Sequence, residues 1–201
     1  IQIKRSKMSV YPDSVTQLRL LSSFAGFAVR LADCLIILSD EEFYAFDDKV
    51  QGYSICSKDI PQELELNQEY FTIKNCTKKN IAFWSIDGKF ITKSQMQKCD
   101  CAIFDENVFC LVEFKTDSEG KSDETKEEII KHAQNQIVSM YKLITEKIKT
   151  KGIDFSQKVT VEGHICLSKR YPRKSSEEMS LQALFAEKNG FGLYFDGIKE
   201  F

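Results

Sequence analysis

The chain has 201 residues, 42% hydrophobic and 29% charged, and its 28 basic and 30 acidic side chains leave a formal net charge of −2. This composition fits one globular domain with a sizeable core and excludes the strongly basic balance of a protein that coats nucleic acid. No stretch approaches the roughly eighteen uninterrupted apolar residues of a membrane span, so no membrane partner is expected, and any nucleic-acid contact must come from a local basic patch.

Pro12-Asp13-Ser14 starts a helix that carries Val15, Leu18, Leu21 and Ala25 at helical spacing and weakens at Gly26. The apolar runs 34–38 and 43–46, separated by Ser-Asp-Glu-Glu, predict a hairpin. Residues 47–69 are irregular, punctuated by Gly52 and Pro61. Segments 71–74 and 81–86 predict strands, and Asp87-Gly88 is turn chemistry leading into a further strand at 89–92.

Residues 98–115 predict a second hairpin, with Asp105-Glu106-Asn107 at its turn. Side chains alternate along strands, so Asp100, Ala102 and Phe104 share one face, as do Phe109, Leu111, Glu113 and Lys115. A loop of two residues (Glu106, Asn107) or of four (105–108) sets Asp100 directly opposite Glu113. Opposed Cβ atoms lie roughly 5 Å apart. Two carboxylates so close on an apolar ribbon repel, and Lys115 answers that only in part. A divalent metal answers it better; the alternative is that Glu113 and Lys115 are simply exposed at a strand end, with Asp100 starting the neighbouring strand.

Downstream, 116–126 is a polar loop, and Thr125-x-x-Glu128 forms a capping box for a helix. Its apolar stripe is Ile129, Ala133, Ile137, Met140, Ile144 and Ile148, flanked by Gln136 and Tyr141 and ended by Gly152. A strand follows at 159–167, with Val159, Val161, Gly163, Ile165 and Leu167 on one face and Glu162, His164 and Cys166 on the other. The basic loop Lys169-Arg170-Tyr171-Pro172-Arg173-Lys174 leads to an amphipathic helix at 176–189, through Met179, Leu184 and Phe185, and to a last strand at 192–195. This order predicts an α/β fold with a central mixed sheet flanked by helices.

Asp100, a short apolar connection and then Glu113-Phe114-Lys115 resemble the core of the PD-(D/E)XK nucleases, with Cys99 where that pattern often has proline. Ala133-x-x-Gln136-Ile137 on the next helix and the basic loop extend the likeness over roughly the C-terminal half. The resemblance implies a restriction-endonuclease-like core at 98–201 with a β-rich N-terminal extension at 1–97, in a single domain of a small bacterial member. It implies a phosphodiester hydrolase acting on DNA in restriction or phage defence, with Mg²⁺ as cofactor and Mn²⁺ as substitute. Asp100, Glu113 and the main-chain carbonyl of Phe114 would bind the metal, and Lys115 would orient the attacking water or stabilise negative charge. Gln136 would hold a water or phosphate; otherwise it is a surface glutamine.

Lys121, Lys126, Lys169, Arg170, Arg173 and Lys174 are the expected phosphate contacts; the alternative for the basic loop is a solvated loop. A homodimer or a defence-system protein is the expected partner. Many members carry a further acid on a helix before the hairpin. The helix after Ser14 has none through Arg30, which leaves Asp87, Glu65 or Glu69. That departure admits a second reading, a catalytically degenerate fold retained for binding or assembly.

Seven scattered cysteines, an odd number, predict free thiols in a reducing cytoplasm. Cys99-x-Cys101 with Cys110 invites zinc. However, there is no Cys-x-x-Cys and both histidines are distant in sequence, so core thiols are the expectation. His132 and His164 read as structural or solvent-facing.

Overall fold

The computed structural model describes residues 11–92, 96–116, 123–169 and 175–201. The strands are β1 (Leu35–Leu38), β2 (Glu42–Asp48), β3 (Tyr53–Ser57), β4 (Phe71–Lys74), β5 (Ile81–Ser85), β6 (Cys101–Phe104), β7 (Val108–Lys115), β8 (Thr160–Leu167), β9 (Gly192–Tyr194) and β10 (Ile198–Glu200). The helices are α1 (Asp13–Gln17), α2 (Leu20–Ser23), α3 (Gln62–Asn67), α4 (Asp123–Lys149) and α5 (Ser175–Asn189). A six-stranded sheet runs β1-β5-β6-β7-β8-β9, and a four-stranded sheet runs β10-β4-β2-β3. The class is α/β, and both sheets are mixed: β7, β8 and β9 run parallel, as do β10 and β4, while the other pairs are antiparallel.

The central strands of the large sheet are buried on both faces, which explains their near-continuous apolar sequences. One face carries Ala102, Phe104, Phe109 and Leu111, packed with Ile130, Ala133, Ile137, Met140, Ile144 and Ile148 of α4. The other carries Cys101, Ile103, Cys110, Val112 and Phe114, packed with Phe43, Ala45, Phe71 and Ile73 of the small sheet. Ile130 rather than Ile129 opens the α4 stripe. Gly152, at φ 73°, ends that helix region as expected, its N–H bonded to the Lys149 carbonyl.

The β6–β7 turn is held by the buried Asp105 carboxylate. It accepts the N–H groups of Asn107 and Val108, each at 2.7 Å, and pairs with Lys79 at 2.5 Å. Asp105 N–H bonds the Val108 carbonyl, and Phe104 faces Phe109, which is the register expected from sequence.

Several expectations are corrected. The N-terminal helix is two short helices, because Arg19 adopts a left-handed φ of 49° between them. β1 and β2 do not pair as a hairpin: β1 joins β5, and β2 joins β3 and β4. The irregular 47–69 segment contains β3 and α3, and 89–92 forms only an isolated bridge, Asp87 to Ile91. In α5, Phe185 is buried whereas Met179 and Leu184 face outward. Cys99 and Cys101 fall in different core clusters, although alternation along a strand would put them on one face, because Asp100 bends the chain just before β6. All seven cysteines are free. Among the described residues, no helix is long and apolar enough to cross a membrane.

Candidate functional site

Asp100 sits one residue before β6, with its main chain fixed on both sides. Its N–H bonds the Val112 carbonyl at 3.1 Å, and its carbonyl accepts Ile86 N–H and Asp87 N–H at 3.0 and 3.1 Å. The β6–β7 register ends at Cys101–Val112, and Asp100 sits at the bend just before it, with its carboxyl close enough to that of Glu113 for the two to interact. Asp100 Oδ2 accepts the Phe114 N–H at 2.6 Å. A residue's N–H and carbonyl leave a strand from the same edge, so the Phe114 carbonyl also faces the Asp100 side.

Glu113 is 1% exposed, which overturns the simple strand-end alternative. One oxygen, Oε1, takes Lys115 Nζ at 2.5 Å, and the other, Oε2, is buried without a hydrogen-bond partner. Burial pushes the Glu113 carboxyl up to about 7 against the pull of Lys115, and Asp47 adds to the rise. Burial also raises Asp100 well above the ordinary carboxylate range; the charges of Glu113 and Asp47 reinforce it, and Phe114 N–H and Lys115 oppose it.

Asp47 is a further acid whose charge acts on this pair, and the sequence alone does not single it out. It lies on β2 of the small sheet, opposite Ser54 of β3, whose hydroxyl it accepts. Its charge reaches Asp100 and Glu113 and also the thiols of Cys101 and Cys166. The only sequence signal was an Asp-Asp pair closing an aromatic run, Phe43 to Phe46, which does not say where that strand packs. Of the acids considered instead, Asp87 pairs with the buried Lys98 at 3.1 Å, Glu65 lies on α3, and Glu69 raises the Cys166 thiol.

Gln136 is buried rather than superficial. Its Nε2 donates to the Lys98 carbonyl at 3.0 Å, tying α4 to the segment that leads into Asp100, and its Oε1 has no partner. Lys115 and Leu167 are paired at the C-terminal ends of the parallel strands β7 and β8, so the chain leaving β8 toward Lys169 starts beside the site. Lys169 is exposed and its N–H bonds the Asn67 carbonyl; Lys126 is half-buried in the first turns of α4. Lys121, Arg170, Arg173 and Lys174 lie outside the described residues. His132 is exposed on α4 and His164 is buried.

The residues at this edge fit a divalent cation. Two neighbouring carboxyls are raised chiefly by burial, one buried oxygen is unpartnered, and a third carboxylate adds its field. Hard oxygen donors of this kind suit Mg²⁺ or Mn²⁺. No protein-family model, no curated protein and no solved structure matches the chain.

Proposed function

We propose that the chain is a Mg²⁺-dependent nuclease of the PD-(D/E)XK type that hydrolyses DNA phosphodiester bonds. The observation that carries this reading is the convergence of the part-buried Asp100 and the buried Glu113 at the end of the β6–β7 hairpin, with Lys115 bonded to Glu113. The order of an antiparallel β5-β6-β7 meander, α4 and a parallel β8 supports it, because that order resembles the family's core.

Asp100, Glu113 and the Phe114 carbonyl would hold the metal, and Asp47 would take the part of the missing upstream acid. When bound, Mg²⁺ supplies charge neutralisation and lowers the pKa of a coordinated water. Lys115 would stabilise negative charge at the scissile phosphate or orient the attacking water. Gln136 would fix the segment bearing Asp100 and offer its free oxygen to a water. The basic residues after β7 and β8 would hold the phosphate backbone without reading sequence. Restriction or phage defence in the cytoplasm, as a homodimer or with a partner protein, is the setting this activity implies.

Supercoiled plasmid incubated with Mg²⁺ or Mn²⁺ is expected to be nicked or linearised by the wild-type chain. Chelator, Asp100→Ala or Lys115→Ala should each remove that cleavage, and cleavage surviving both substitutions would exclude these residues from the mechanism. The second reading, a non-cleaving binding module, draws on the closed Lys115–Glu113 pair, which leaves both side chains mutually engaged. It predicts no cleavage in any metal.

A further inference from the structure

A second set of donor atoms converges on the opposite face of β7. Cys110 is paired in register with Glu162 of β8, and His164 lies two residues further along β8 on the same face. Cys110 Sγ is 3.7 Å from Glu162 Oε2, and His164 Nε2 is 3.1 Å from that same oxygen. The thiol, carboxylate and imidazole atoms all lie within 4.8 Å of one another. Zinc bonds of about 2.3 Å to sulfur and about 2.0–2.1 Å to nitrogen or oxygen give, at a tetrahedral angle, edges of about 3.5 Å (S to O) and about 3.3 Å (N to O). The spacing observed without an ion is close to both edges.

The surroundings complete such a site. Glu162 Oε1 is held by Lys199 of β10 at 2.8 Å, which leaves Oε2 to the convergent side. The far nitrogen of His164, Nδ1, is buried without a hydrogen bond and lies 4.0 Å from Asp196 Oδ1. A metal on Nε2 would put the ring proton on Nδ1, directed at that carboxylate, the outer partner that metal-bound histidines usually have. Tyr194 stacks on the ring and Phe71 meets it edge-on, each with a centroid distance of 5.1 Å, so its orientation is set. Glu162 and Tyr194 also line a cleft of about 530 Å³, so one of the three donor residues borders solvent.

We propose that Cys110 Sγ, Glu162 Oε2 and His164 Nε2 form a zinc-binding site, with a water molecule completing the fourth position. A thiolate, an imidazole and a carboxylate together select zinc-like ions over Mg²⁺. On binding, the ion replaces the thiol proton, which leaves to solvent. The site is separate from the Asp100–Glu113 edge: Cys110 faces the small sheet, and Glu113 does not belong to that cluster. Through Lys199 it would link β7 and β8 to β10.

The test is titration of the chelator-stripped, reduced full chain with Co²⁺. One equivalent should produce a thiolate-to-cobalt charge-transfer band and the visible bands of tetrahedral cobalt, displaced by one equivalent of Zn²⁺. Cys110→Ser and His164→Gln should abolish the charge-transfer band and the tetrahedral bands respectively. Asp196→Asn, at an exposed position, should weaken binding about tenfold or more. Glu113→Gln should leave the spectrum intact. A wild-type chain with no thiolate band overturns the proposal whatever the variants do, as does a band that persists in Cys110→Ser.

Discussion

Glu113 is a carboxyl with one oxygen on a lysine and the other on nothing. Its folded pKa is raised from 4.5 to about 7, mainly by burial, and that of Asp100 is raised too. The folded state therefore binds more protons than the unfolded one, and linkage makes stability fall as pH rises. For Glu113 the contribution is complete below 4.5 and is lost as pH passes through about 7. At ~1.4 kcal/mol per pKa unit the loss is on the order of 3 kcal/mol. In chelator, the melting temperature is expected to decline between about pH 5 and pH 7.5 on these values. Glu113→Gln should flatten the decline and Mn²⁺ should suppress it; a pH-independent melting temperature over that range would contradict the assignment. The Asp100–Glu113–Lys115 set is legible in the sequence because strand alternation and a two- or four-residue turn bring Asp100 to the same end of the hairpin as Glu113, although the bend at Asp100 ends the strict pairing one residue earlier. Asp47 is not, since its approach depends on how a separate sheet packs, and no local period encodes that.

At the scale of elements, the β6–β7 hairpin depends on a turn residue that is itself part of the core. Asp105 is 1% exposed, accepts two main-chain N–H groups and carries Lys79. Asp105→Ala would leave both donors and a partly buried ammonium without their acceptor, costing on the order of 2–4 kcal/mol. The check is the denaturant midpoint, with Asp105→Asn expected to lose less. A change within about 0.5 kcal/mol would show that the turn holds without its carboxylate. Strands β4 to β9 were readable because the apolar runs are bounded by turn residues. Pairing between strands was less so: period two identifies faces but not neighbours, which is why β1 and β2 were expected to pair and instead lie in different sheets. The last strand, β10, escaped notice because it is three residues long and half-buried. The sequence leaves His164 as a structural or solvent-facing residue because Cys110 meets it only through β7–β8 pairing across more than fifty residues of chain.

At the scale of the molecule, a chain of net charge −2 must gather its positive potential locally to hold DNA. The C-terminal ends of β7 and β8 lie side by side, so the segments leaving them begin at the edge that carries Lys115. Binding through a few phosphates there should weaken with salt at a logarithmic slope of about −0.9 per contact. Replacing Arg170, Arg173 and Lys174 with alanine should reduce affinity for all sequences alike and flatten the slope by up to that amount for each contact removed. Unchanged affinity and slope would put the DNA track elsewhere.

The account stands on a metal held between Asp100 and Glu113, and calorimetric titration of Mn²⁺ into the chelator-stripped chain tests that directly. Saturable binding is predicted for the wild type, weakened by Asp47→Asn and abolished by Glu113→Gln. Absence of saturable binding, or binding that Glu113→Gln leaves unchanged, would contradict it.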